Sequence, residues 1–178
     1  MFRGNILHFP SATQTPKKDA CLILDGALVV LEQKIVAIGE YEDIASQYAC
    51  KETVDYRGRL LVPGLIDSHL HYPQTEMIAK YGQQLLAWLE NYTFPTEHKF
   101  ASREYCDLIA EAFLNQLIDN GTTTALVFAS VHKQSVDALF EAAGKRNMSM
   151  ISGKVCMDRH CPEYLQDTPD SAQADSYE

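Results

Sequence analysis

The chain has 178 residues, and its 46% hydrophobic and 22% charged residues are ordinary for one soluble globular domain, or one and a fragment. Fifteen Lys and Arg against twenty-four Asp and Glu give a net charge of −9. An acidic chain repels phosphate backbones and anionic lipid, so neither nucleic acid nor a membrane surface is an expected partner. The basic pairs Lys17-Lys18 and Lys145-Arg146 form no patch. No apolar run approaches the ~20 residues of a membrane span, and the N-terminus lacks a secretory apolar segment. Five scattered cysteines do not make a disulfide framework. These features together predict a cytoplasmic protein.

Residues 1–60 read as short strands and turns. Two β-branched runs, 20–25 and 27–31, are predicted as strands separated at Gly26, and 34–39 alternates as a third. A short helix is predicted over 41–48. The texture changes at Leu60. The apolar run LLVPGLIDSHLH predicts a buried strand that begins after Pro63. A helix is predicted over 83–90, then a loop around Pro95. Ser102 is a candidate N-cap, with Glu104 in the first turn. Tyr105, Leu108, Ile109, Ala112, Phe113 and Leu117 follow at helical spacing, and Gly121 supplies the stop. A strand over 122–128, a helix over 135–145 and a strand over 148–157 complete the pattern. Residues 162–178 read as a polar helix start or a frayed tail.

From Leu65 onward the order is strand, helix, strand, helix, strand, for which parallel pairing is the default. The fold class is therefore α/β, and the boundary between the β-rich segment and the rest is predicted at 62/63.

The chemistry concentrates in IDSHLHYPQTE. Side chains two apart on a strand share a face, with Cα atoms ~6.6 Å apart. His69 and His71 are thus expected to project together and to converge on one metal ion. By the same alternation Asp67 is expected on their face, where it could orient a ligand or reach the metal.

The segment VPGLIDSHLH resembles the first barrel strand of the amidohydrolase superfamily. HYPQTEMIAKYGQQLLAWLENYTFPTEHKF, NGTTTALVFASVH and GKVCMDRHCPEYLQDT resemble, within it, the guanine deaminase family. The resemblance implies a (β/α)₈ barrel with a composite β-sandwich built from both chain ends. This chain would hold the first three barrel strands and a portion of the sandwich. It implies that His69 and His71 are zinc ligands, and that Gln74 and His71 meet the substrate. An amide suits that role, because it offers both an acceptor and donors to a purine edge. The implied reaction is zinc-dependent hydrolytic deamination of guanine to xanthine and ammonia, a step of purine catabolism. A homodimer is implied for intact members.

The family pattern also needs a later His and Asp as ligands, a Glu shortly after that His, a further His near the reacting centre, and an Arg-Phe pair that holds the base. None is placed in these 178 residues. The chain is therefore expected to be the first ~40% of a longer barrel protein without its downstream catalytic half. Two alternatives stand beside this. One is a non-catalytic remnant or binding fragment. The other is an amidohydrolase acting on another amino-purine or a triazine.

The remaining candidates have plainer readings. His132 is expected in a loop and His98 in surface or loop packing. Glu76 and Glu97 are the nearest acids by position. Trp88 is read as core packing, with a wall of the purine pocket as the sharper reading. Cys156, His160 and Cys161 do not match a zinc spacing, and Cys156 is read as a small core residue.

Overall fold

A computed structural model describes residues 1–10, 19–82 and 84–177. The Lys17-Lys18 pair and the predicted helix start at Gln83 lie outside them. The chain divides into two compact units, Met1–Pro63 and Gly64–Glu178.

The first unit is a mixed four-stranded sheet in the order β3-β2-β1-β4. Its strands are β1 (Phe2–His8), β2 (Cys21–Leu31), β3 (Lys34–Glu40) and β4 (Val54–Leu61), with helix α1 (Tyr41–Gln47) after β3. β1 runs antiparallel to β2 and parallel to β4. The strand break expected at Gly26 is absent. β2 runs straight through that glycine, and a bulge opposite Asn5 absorbs the irregularity: Gly4 pairs with Gly26, but Ile6 pairs with Ile23. Asp25 takes the positive φ of 57° that the bulge requires. Ala27, Val29 and Ile44 form a small core under α1.

The second unit is a parallel sheet in the order β5-β6-β7, made of β5 (Leu65–His71), β6 (Thr122–Phe128) and β7 (Ser149–Gly153). Between β5 and β6 lie a 3-10 turn (Tyr72–Met77), α2 (Leu85–Trp88), a π-type turn (Leu89–Thr93), α3 (Phe94–His98), a further 3-10 turn (Lys99–Ala101) and α4 (Arg103–Asp119). α5 (Lys133–Lys145) links β6 to β7, and α6 (Pro169–Tyr177) follows. The parallel order matches the pattern read from the sequence. Ser102 caps α4, its hydroxyl accepting the Tyr105 N–H at 3.3 Å.

Three further expectations are corrected. The segment around Pro95 is helical, because proline sits in the first turn of α3, where its missing N–H costs nothing. The helix expected to end at Glu90 is ordinary α-helix only over Leu85–Trp88. β7 stops at Gly153 rather than 157, which leaves Cys156 exposed and not in the core.

One face of the parallel sheet packs under α4 and α5. Ala125 and Val127 of β6 meet Phe113, Leu114 and Leu139 there. The other face is bare: Ile66 is 76% and Ile151 64% exposed. Among the described residues no helix is long and apolar enough to cross a membrane. A Cβ on Gly64, at the start of β5, would lie 2.0 Å from Thr123 Oγ1, so only glycine lets the chain enter the strand this closely.

Candidate metal centre

β5 is an edge strand, and its C-terminal end carries the two histidines. Their Nε2 atoms stand 3.3 Å apart. Zinc bound by two imidazoles at 2.0–2.1 Å in tetrahedral geometry sets its nitrogens about 3.3 Å apart. The pair therefore fits a shared zinc. Phe128, at the end of β6, braces both rings. It stacks on His71 at 4.7 Å between centroids and meets His69 edge-on at 5.4 Å. Burial, and then the neighbouring His69, push the His71 pKa below 6.5, which favours the neutral imidazole that binds a metal.

Asp67 lines the same cavity as both histidines, although its backbone register differs from theirs. β5 bulges between Asp67 and Leu70: Asp67 pairs with Ala125 and Leu70 with Val127, so three steps on β5 match two on β6. Asp67 and Leu70 therefore fall on the helix-covered side with Ala125 and Val127. The carboxylate still touches the site through the main chain, where Asp67 Oδ1 accepts the His69 N–H at 3.0 Å.

Gln74 lies in the 3-10 turn that follows His71. Tyr72 roots this turn in the core, with no exposed surface, its hydroxyl donating to the Ser135 carbonyl at 2.7 Å and its ring edge-on to Phe100. Thr75 Oγ1 closes the turn by donating to the Tyr72 carbonyl. His69, His71, Gln74 and Trp88 line one cavity of about 520 Å³, which extends past Leu70 to Phe113 and Leu117 of α4. Trp88 is thus a wall residue. The core reading fails because its helical neighbours Leu85 and Leu86 are themselves 68% and 73% exposed.

Neither nearby acid lines the cavity. Glu76 is tied to Lys99 at 2.6 Å. Glu97, on α3, is 8% exposed. The sequence singles out Glu97 only by its position; its burial has no sequence signature. His132 lies in the bend after β6, as expected, with a buried Nε2 that has no hydrogen-bond partner. His98 is exposed and packs its ring on Tyr164 at 4.5 Å. Among the described residues, no group of three or more His, Cys, Asp or Glu is placed to hold a metal.

Burial raises the Glu97 pKa from 4.5 to about 7. The folded chain therefore binds this proton more tightly than the unfolded chain. Its contribution to stability is complete below pH 4.5 and is lost as the pH climbs past 7. The expected loss is about 3 kcal/mol across that window. Urea unfolding at pH 5 and pH 8 checks this: Glu97→Gln should flatten the difference.

The sequence model of the amidohydrolase family matches residues 60–178. Guanine deaminase of Escherichia coli is 47% identical over 182 residues, covering 99% of this chain and 41% of that protein. A solved structure of E. coli guanine deaminase superposes with a TM-score of 0.91 over 99% of this chain and 42% of its own. A guanine deaminase from C. acetobutylicum, solved with guanine in its active site, is 30% identical with a TM-score of 0.79, covering 98% of this chain and 40% of its own. An adenosine deaminase from Xanthomonas campestris with bound zinc shares the fold, with a TM-score of 0.75 at 21% identity over 97% of this chain and 37% of its own. The chain spans about two fifths of the length of the curated relatives it matches. It belongs to the amidohydrolase family, as a homologue of guanine deaminase.

Proposed function

We propose that this chain carries the metal-anchoring and base-contacting portion of a zinc-dependent guanine aminohydrolase. The observation that carries the reading is the 3.3 Å separation of the His69 and His71 Nε2 atoms, the span that a shared zinc sets. The likeness to guanine deaminases supports guanine as the substrate. In this reading β5, β6 and β7 are three strands of a (β/α)₈ barrel, and residues 1–62 belong to a composite β-sandwich. The bare sheet face, with Leu126, Phe128 and Ile151, is then the barrel interior.

His69 and His71 hold the zinc through Nε2. When bound, zinc supplies the Lewis acidity that makes water a competent nucleophile near neutral pH. Phe128 keeps both imidazoles from rotating away, and Asp67 fixes the backbone of His69. Gln74 offers an amide to the edge of the purine, and Trp88 closes one side of the cavity. The net reaction adds water at C2 of guanine and breaks the bond to the exocyclic nitrogen, giving xanthine and ammonia. A catalytic zinc takes at least three protein ligands, of which the two histidines are this chain's share.

The protein expressed from its own gene, start codon to stop codon, and supplied with zinc is expected to release xanthine and ammonia from guanine in equal amounts. Ammonia from a triazine or another amino-purine, with guanine untouched, would overturn the substrate. No ammonia from any of them would overturn the enzyme and leave the binding-fragment alternative.

A further inference from the structure

Ser130 and Ser135 are fully enclosed, although serine belongs mostly to protein surfaces. They flank the bend that leads from β6 into α5. A buried hydroxyl is costly unless it is hydrogen-bonded, and both of these are. Ser135 Oγ donates to the His132 carbonyl at 2.6 Å and accepts the Ser130 N–H at 3.1 Å. Ser130 Oγ accepts the His132 N–H at 3.1 Å. These bonds lock the bend, and one more reaches out of it. The Ser135 carbonyl accepts the Tyr72 hydroxyl at 2.7 Å, from a residue 63 positions away in the chain.

Tyr72 and Ser130 stand just beyond the point where β5 and β6 part. His71 and Phe128 are the last pair of that ladder, and their rings stack. Tyr72 follows His71 directly, and Ser130 comes shortly after Phe128. The contacts therefore close a circuit from His71 through Tyr72, Ser135, Ser130 and Phe128 back to His71.

We infer that Ser135 is a positioning residue for the metal pair, fastening the strand that carries the histidines to the strand that carries their aromatic brace. Strand ends fray, and β5 has a partner on one flank only, with a bulge before its last pair. Ladder bonds alone thus leave His71 and Phe128 free to part. Ser135 holds both chains past that pair, its carbonyl on one and its hydroxyl on the other. Packing already encloses the Tyr72 ring, edge-on to Phe100, so the hydroxyl is not needed to bury it. What the hydroxyl adds is a fixed distance between the two strand ends. That distance keeps Phe128 on the His71 imidazole, and the two Nε2 atoms at the span a zinc ion takes.

This inference rests on His69 and His71 binding zinc. The test is zinc affinity, by competition with a chelator, in the protein expressed from its own gene. Tyr72→Phe removes one link of the circuit and keeps the ring. Ser135→Ala removes the other and keeps the carbonyl. Each should weaken zinc binding about tenfold, the lower range for a group that orients a metal ligand. The double variant should be no worse than the worse single variant, because a circuit cut once is already open. Leu114→Val, buried in the same core but outside the circuit, should lose stability and keep wild-type affinity. The visible bands of bound cobalt(II), which follow coordination geometry, should shift in Tyr72→Phe and Ser135→Ala and not in Leu114→Val. If Ser135→Ala prevents folding, Tyr72→Phe against Leu114→Val decides. Affinity losses that multiply in the double variant, or wild-type affinity in Tyr72→Phe, would overturn the inference and leave the metal site standing. A wild-type protein that binds no zinc would overturn the functional reading, and the inference with it.

Discussion

Loss of zinc is the expected result of His69→Ala and of His71→Ala alike, each by about 10²–10⁴-fold in affinity. The size of the effect follows from the geometry. Once the first imidazole is bound, the second nitrogen is already 3.3 Å away, so the second bond forms at a high effective concentration. Removing either ring leaves only one imidazole of this pair. The braced geometry makes a control available. Phe128→Ala removes the ring that stacks on His71 but no ligand, so it should weaken retention far less. Metal content after dialysis against a competing chelator ranks the four proteins. Equal retention by wild type and both histidine variants would mean the metal is held elsewhere.

A second large effect is expected two strands away from the histidines, at the same end of the sheet. Lys154, just past β7, has a side chain only 3% exposed, and its Nζ meets Asp167 Oδ2 at 2.7 Å; Asp167 is 12% exposed. The same carboxylate accepts the Met157 N–H at 3.3 Å, and the Asp167 N–H returns to the Met157 carbonyl at 2.7 Å. The pair therefore clips residues 154–167 into a closed loop after β7. Lys154→Met leaves a buried carboxylate without its cation and should cost about 3–5 kcal/mol in denaturant unfolding. The double variant Lys154→Met, Asp167→Leu should cost markedly less than the sum of the two single changes, because it leaves no stranded charge. Additive losses would mean the loop is held by packing around Leu165 instead.

Much of this arrangement is legible in the sequence. Helical spacing after Ser102 and the β-branched run after Gly121 announce the alternation that makes the sheet parallel. The His-x-His spacing announces two rings on one face. What escaped has definite causes. A period-two reading assumes an unbroken pleat, and the bulge beyond Asp67 breaks it, so Asp67 reaches the shared cavity from a different register. Pro95 reads as a loop residue until one asks whether it stands in a first helical turn. Trp88 carries a core-like spacing with Leu85, yet the helix it belongs to is too short and exposed to bury a face. The burial of Glu97 comes after about twenty residues of irregular helix and turn, where no periodicity reports which side chains are enclosed.

The turn that carries Gln74 is stiff, because it is bolted to an enclosed aromatic cluster of Tyr72, Phe100 and Phe113. In the proposed reading that stiffness serves discrimination, because an amide displaced by a fraction of an ångström no longer distinguishes one heterocycle edge from another. The histidines would need less of it, because a metal's own coordination geometry draws its ligands into place.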